Sequence, residues 1–265
     1  MTARAAATAA EFAPGRLRLA FGAGNRQEML VPLGLPLDDT PGRCREAAAI
    51  VRGLLAGERL DFEGRHYQAK GVELDFEAEA IPIYFAGRGR GMLRAGGQVA
   101  DGVIVGGLCT LSGIDYAWRE IARGAGRAGR DERDLEIVCW LMCTVTGDRA
   151  AVTESMRPMV AHIIGGAPED MLLEIGLPAD TVDAVKREYA VAGKEGAARY
   201  VDDECIDTFT LVGDRDECLE RIQSLEAAGV TQFGMLLPPG DVDAHRRNLD
   251  RFADEVISAY RRAPV

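Results

Sequence analysis

Short apolar runs alternate with stripes of helical period along the chain, and this alternation predicts strand followed by helix, repeated. Residues 16–24, RLRLAFGAG, read as a strand ending in glycines. Thr40 and Pro41 then open a helix as N-cap and first-turn proline, and Cys44, Ala47, Ala48, Val51, Leu54 and Leu55 recur at helical spacing until Gly57. LDFEGRHYQAKGVEL alternates around Glu63 and Gly64, the pattern of a small hairpin that interrupts the rhythm. The rhythm resumes with a strand at 81–87, a helix at 91–100, a strand at 101–107 and a helix at 114–125. In 135–147 both parities are largely apolar, as expected of a strand covered on both faces. A strand at 230–238 follows a helix from about Asp214 to Ala228, which starts on the capping pair Asp214 and Glu217 and stops at Gly229. The closing helix, 242–260, gathers Leu249, Phe252, Ala253, Val256, Ile257 and Tyr260 on one face.

Between Gly147 and Asp207 the pattern is helical with no strand, too long for a plain connection, so 149–204 is expected to be a helical insertion before the last strand. On a barrel such an insertion shapes the active-site mouth or packs subunits together. No internal repeat or clean linker divides the chain, and 1–265 reads as one domain.

A content of 47% hydrophobic and 28% charged residues is that of an ordinary globular protein. The net charge of −11 argues against nucleic acid and anionic membrane surfaces as partners, because both are themselves negative. No apolar stretch approaches the roughly 20 residues of a membrane span. The alanine-rich start lacks the apolar core of a targeting peptide. The six cysteines include no CxxC pair and form no zinc pattern, so they read as reduced thiols of a cytoplasmic protein without a metal site. Cys139 and Cys143 share a strand parity, which points to core packing. His66, His162 and His245 lack the partner spacing of a metal site or triad and read as packing or surface residues.

Three strand ends finish in glycine: Gly22 to Gly24, Gly87 to Gly91, and Gly106 with Gly107. The C-terminal strand ends form the binding face of parallel βα folds, and glycine lets backbone approach a ligand. Glycine also makes tight turns, and spacing alone does not separate the two readings. The middle loop, AGRGRGM, leads straight into a helix whose free N–H groups and positive dipole end suit a phosphate, with Arg88 and Arg90 adding charge. Its G-x-G-x-G spacing departs from the Rossmann fingerprint.

The run IPIYFAGRGRGMLRAGGQVADGVIVGG resembles the phosphate-loop region of luciferase-like flavin and deazaflavin oxidoreductases. GRLRLAFGAGN resembles the fourth barrel strand of that superfamily. IGLPADTVDAVKREY and DTFTLVGDRDECLERIQSLEAAGVTQFGMLLPPGD look like its 5,10-methylenetetrahydromethanopterin reductase-like members. The resemblance implies an α/β fold, a TIM (β/α)8-type barrel. Against eight strands only five are legible, at about 17–22, 81–86, 102–106, 135–145 and 231–237. The first three βα units, roughly 80 to 90 residues, are therefore expected to be missing. The resemblance further places Gly87, Arg88, Gly89, Arg90 and Gly91 around a cofactor phosphate, Gly106 and Gly107 beside it, and Gly24, Asn25 and Gln27 near the ring or ribityl chain. The cofactor it implies is coenzyme F420 (8-hydroxy-5-deazaflavin) or FMN. The catalytic residues are expected in the missing portion, although Glu28 follows the fourth strand. The functions implied are an F420-dependent oxidoreductase acting on a small organic substrate, an FMN-dependent monooxygenase, or a non-catalytic fragment or structural subunit. A homo-oligomer is expected.

Overall fold

The computed structural model describes residues 1–24, 29–36 and 38–260. In chain order its elements are α1 (Thr2–Phe12), β1 (Leu19–Gly22), α2 (Thr40–Leu55), β2 (Leu60–Glu63), β3 (Gln68–Val72), β4 (Ile83–Ala86), α3 (Arg90–Val99), β5 (Gly102–Gly106), α4 (Leu111–Arg127), β6 (Glu136–Val145), α5 (Arg149–Gly166), α6 (Glu169–Glu174), α7 (Ala179–Ala197), α8 (Asp203–Phe209), β7 (Thr210–Gly213), α9 (Arg215–Ala227), β8 (Gln232–Leu236) and α10 (Val242–Phe252). The protein is α/β with parallel strands, and the antiparallel exception is the hairpin β2–β3. The chain forms two compact units, residues 1–104 with 117–137, and residues 105–116 with 138–265. Among the described residues no helix is long and apolar enough to cross a membrane.

In the first unit β1 pairs with β4 in register from Leu19 and Ile83 to Gly22 and Ala86, and β4 pairs with β5 from Tyr84 and Gly102 to Ala86 and Ile104. Successive side chains of β4 point to opposite faces, as strand geometry requires. Ile83 and Phe85 join one apolar cluster with the alanine face of α1 (Ala3, Ala6, Ala7, Ala10) and with Ala48, Val51, Leu54 and Leu55 of α2. Tyr84 points the other way, donating its hydroxyl to Glu136 and accepting from Arg18 Nε at 3.2 Å. Its ring crosses the next strand, where a Cβ on Gly102 would collide with it.

Helices α3 and α4 cross backbone to backbone. A Cβ on Gly97 would fall on the carbonyl oxygen of Ile121, and one on Gly124 would fall on that of Arg94. Close by, the fully buried Glu120 accepts from Arg94 and Arg123.

In the second unit β6 pairs in parallel with β7, from Met142 and Thr210 to Val145 and Gly213, and with β8, from Val138 and Gln232 to Met142 and Leu236. Most of β6 is buried at both parities, the pattern its sequence carries. In α5, Gly165 lies against the Tyr189 ring of α7, and His162 Nδ1 meets the Tyr189 hydroxyl at 2.8 Å. Helix α9 starts on the capping box of Asp214 and Glu217, and Gly229 after it is left-handed at φ 97°.

Three expectations are corrected. A sixth parallel strand, Thr210–Gly213, stands directly after the helical stretch, so the helices of 149–209 precede β7 and not the last strand. With four residues all buried, β7 offers no polar alternation to read. The N-cap of α2 is Asp39 and not Thr40, because the Asp39 carboxylate accepts the Gly42 N–H while Thr40 is already helical. A π-turn interrupts the closing helix at Ala253–Ile257, and of the expected apolar face Val256 is buried whereas Leu249 and Ile257 are 45% and 39% exposed.

Candidate functional site

Residues Gly87 to Gly91 connect the C-terminal end of β4 to the first turn of α3. Gly87 donates its N–H to Ile104 O at 3.0 Å, which prolongs the β4–β5 ladder by one residue. Gly89 is the N-cap of α3 in an extended conformation, and having no side chain it offers no cap. The first bond within the helix runs from Leu93 N to Gly89 O at 3.1 Å, so the amides of the turn before it point out of the helix end. With the positive end of the helix dipole they form an anion-accepting terminus. Arg88 and Arg90 flank it half-buried, with Arg88 Nη1 and Arg90 Nε shielded from water.

Two of the glycines also have packing reasons. A Cβ on Gly87 would stand 2.8 Å from Met92 Cβ, and one on Gly91 would stand 2.9 Å from Pro41 Cγ. These glycines therefore let the loop turn tightly onto its own helix and onto α2. Gly24 follows the C-terminal end of β1 with φ 72°, a left-handed position that glycine occupies without penalty. Because β1 and β4 are parallel neighbours, Gly24 and the Gly87 loop leave the same end of the sheet. Asn25, Gln27 and Glu28 lie outside the described residues.

In the second unit Gly106 ends β5, and nothing lies within 4 Å of the Cβ it lacks. Gly107 is left-handed at φ 71° and donates its N–H to Trp140 O at 2.9 Å. The same unit holds a cavity of about 720 Å³ lined by Thr110, Ser112, Arg149, Asp207, Glu220 and Arg221, among others. None of the glycines above lines it. Its arginines hold its own walls: Arg149 donates to Val212 O and the Asp207 carboxylate, and Arg221 donates to Cys109 O at 2.9 Å and to Asp207 O. The loop at α3 is thus the better candidate.

The six cysteines are all buried and unbridged. The residues that sequence reading missed are those joined by folding alone: Tyr84 with Glu136 and Arg18, and Asp39 with His66, whose Oδ2 and Nε2 are 2.9 Å apart. A histidine 27 positions from its carboxylate leaves no spacing signal, although the alternation of the hairpin could have placed its tip against α2.

Known proteins resemble this chain along most of its length. The family model described as luciferase-like monooxygenase matches residues 1–232. A 5,10-methylenetetrahydromethanopterin reductase of Archaeoglobus fulgidus is 32% identical over 236 residues, covering 88% of this chain and 70% of that protein. An F420-dependent glucose-6-phosphate dehydrogenase of Beutenbergia cavernae is 29% identical over 270 residues, covering 98% and 74%. The solved structure of the coenzyme F420-dependent tetrahydromethanopterin reductase from Methanopyrus kandleri shares the fold, with a TM-score of 0.82 at 23% identity over 98% of this chain and 78% of that one. By the span of the family match and the identity to the Archaeoglobus enzyme, this chain belongs to the luciferase-like monooxygenase family.

Proposed function

We propose that this protein is an oxidoreductase that uses coenzyme F420 to pass hydride to or from a small organic substrate, in the manner of methylenetetrahydromethanopterin reductase. The observation that carries the reading is the uncapped, glycine-flanked start of α3 at the end of β4, in a chain whose relative from Beutenbergia is F420-dependent. The residues present fit a cofactor phosphate: the first-turn amides of Arg90, Gly91 and Met92 supply donors, Arg88 and Arg90 supply positive charge, and Gly89 adds no side chain to obstruct approach. Gly24, Asn25 and Gln27 are assigned to the ring or ribityl side of the cofactor.

A bound 5-deazaflavin supplies two-electron hydride transfer without the oxygen adduct of a flavin. The chain's own contribution is orientation. Amides fixed in a helix end need no reorganisation to meet an anion, so binding at the phosphate anchors the far end of the cofactor and limits how its reacting end can move.

The family's description as monooxygenases favours a second reading, with FMN in the same place, since FMN also carries a phosphate on a ribityl chain. Titrating the protein with each cofactor separates the two. Saturable F420 binding without oxygen consumption supports the proposal. FMN binding with oxygen consumption, and no F420 binding, overturns it in favour of the monooxygenase. A chain that binds neither is a non-catalytic or structural protein.

A further inference from the structure

Asp39 is the one non-glycine residue with positive φ among the described residues, at φ 43° and ψ 43°. A side chain in the left-handed region persists only where its surroundings over-determine it, and such positions recur at ligand clamps and switches. Here the surroundings are explicit. Asp39 Oδ1 accepts the Gly42 N–H at 3.1 Å, and Oδ2 accepts from His66 Nε2 at 2.9 Å, with Arg65 Nη1 at 3.6 Å. The hydrogen bond from His66 outweighs the opposing effect of burial and holds the Asp39 carboxyl below its ordinary range, so Asp39 stays an acceptor and Nε2 carries the proton.

His66 sits at the tip of the β2–β3 hairpin with its side chain only 4% exposed. The same tip is tied to α2 a second time. Glu46 accepts the backbone N–H groups of Arg65, His66 and Tyr67 at 2.9, 2.8 and 2.9 Å. The hairpin thus grips α2 along its first two turns, and its histidine grips the residue that starts the helix. Pro41, two residues on, stands 2.9 Å from the place where a Gly91 Cβ would be, so the first turn of α2 rests on the first turn of α3. A continuous path of contacts runs from His66 through Asp39 and Pro41 to Gly91.

We infer that Asp39 and His66 are positioning residues that seat the first turn of α3, the turn whose amides the proposed function assigns to the cofactor phosphate. The inference rests on that reading for its purpose, but its mechanical part is testable without cofactor. A hairpin that merely completed the fold would need neither a left-handed aspartate nor a buried histidine aimed at a helix cap.

Hydrogen–deuterium exchange on the cofactor-free chain reads the bonded amides of α3, from Leu93, which donates to Gly89 O, to Ala100, which donates to Gly96 O. His66→Ala and Asp39→Gly are expected to speed exchange there by about threefold or more. Asp39→Asn keeps the helix cap and tolerates the left-handed backbone, but it has one acceptor oxygen where Asp39 uses two, so its amide NH2 faces the His66 Nε2–H and the variant is expected to reproduce the His66→Ala result. Pro41→Ala, which cuts the last contact, is expected to reproduce the His66→Ala result. Exchange in α9 serves as the control and is expected to stay unchanged. In a second arm, His66→Ala, Asp39→Gly and Asp39→Asn each weaken binding of whichever cofactor the wild type takes, F420 or FMN, by about tenfold. Unchanged exchange at 93–100 in both variants overturns the inference, as does faster exchange spread equally over α9. Faster local exchange with unaltered cofactor affinity overturns the link to the cofactor. A wild-type chain that binds neither cofactor defeats the proposed function instead, and the exchange arm still decides whether the pair seats α3.

Discussion

Gly97 and Gly124 hold α3 and α4 at a distance no side chain permits, since a Cβ on either meets the facing helix's backbone carbonyl. Backbone cannot rotate aside as a side-chain tip can, so each alanine substitution must push the helices apart. Gly97→Ala and Gly124→Ala are each expected to cost about 3 kcal/mol, read as a lower urea midpoint at unchanged slope. An unchanged midpoint for both would refute the close crossing. Beside them, the buried Glu120 is covered by two arginines, Arg94 half-buried and Arg123 exposed, and removing its charge leaves both facing a neutral group. Glu120→Gln is expected to cost about 3 kcal/mol. Burial alone would raise the Glu120 carboxyl, but the hydrogen bonds and charges of Arg94 and then Arg123 outweigh it and hold the pKa below its ordinary value. A carboxyl lowered in the folded state contributes stability that is complete above its unfolded pKa and lost as pH falls through the folded one. Wild type should therefore lose stability on acidification below about pH 4 more steeply than Glu120→Gln, a difference that melting curves taken between neutral and acid pH will show or refuse.

Among the elements, α9 has the most complete start, with the Asp214 carboxylate accepting from Asp216 and Glu217 at 2.9 and 3.0 Å and Glu217 returning a bond to the Asp214 N–H at 2.8 Å. Asp214→Ala is expected to lower stability by about 1 kcal/mol, measured by thermal or urea unfolding, and to leave cofactor binding unaltered. This start was legible because its two partners lie three residues apart. The hairpin at Glu63 and the doubly buried β6 were legible for the same reason, since period-two patterns and unbroken apolar runs are local. What escaped reading is non-local or too short. Strand β7 has four residues and pairs with β6 across some sixty positions of intervening helix. Asp39 lost the cap to Thr40 because both are good capping residues, and only the left-handed turn decides between them. The π-turn at Ala253–Ile257 leaves no mark on composition. At the candidate site the glycine loop could be read, but the reasons for two of its glycines could not: the Gly87 contact with Met92 exists only once the loop has turned back on its own helix, and the Gly91 contact with Pro41 only after α3 has docked on α2.

At the scale of the whole molecule, the cysteines report on the integrity of both cores. All six are buried, and burial first of all pushes Cys205 up to about 12 and Cys218 up to about 11, with Cys143 and Cys109 raised as well. A thiol that is neither ionised nor reachable does not attack a disulfide reagent. The native protein is expected to be silent to Ellman's reagent at pH 8, while the guanidinium-unfolded chain releases six equivalents of thiol. Prompt native reactivity would contradict the burial. Buried and unbridged, these thiols act as small apolar groups. The crossing of α3 and α4 has a practical side for anyone evolving this chain. Every single-base change that replaces a glycine either enlarges the residue or ends the chain, so replacements at positions 97 and 124 can yield only damaged clones. Gly126 and Gly166, where an added Cβ meets nothing within 4 Å, are open to search. A mutational library drawn on those terms samples the surface freely and leaves the close crossing of α3 and α4 intact.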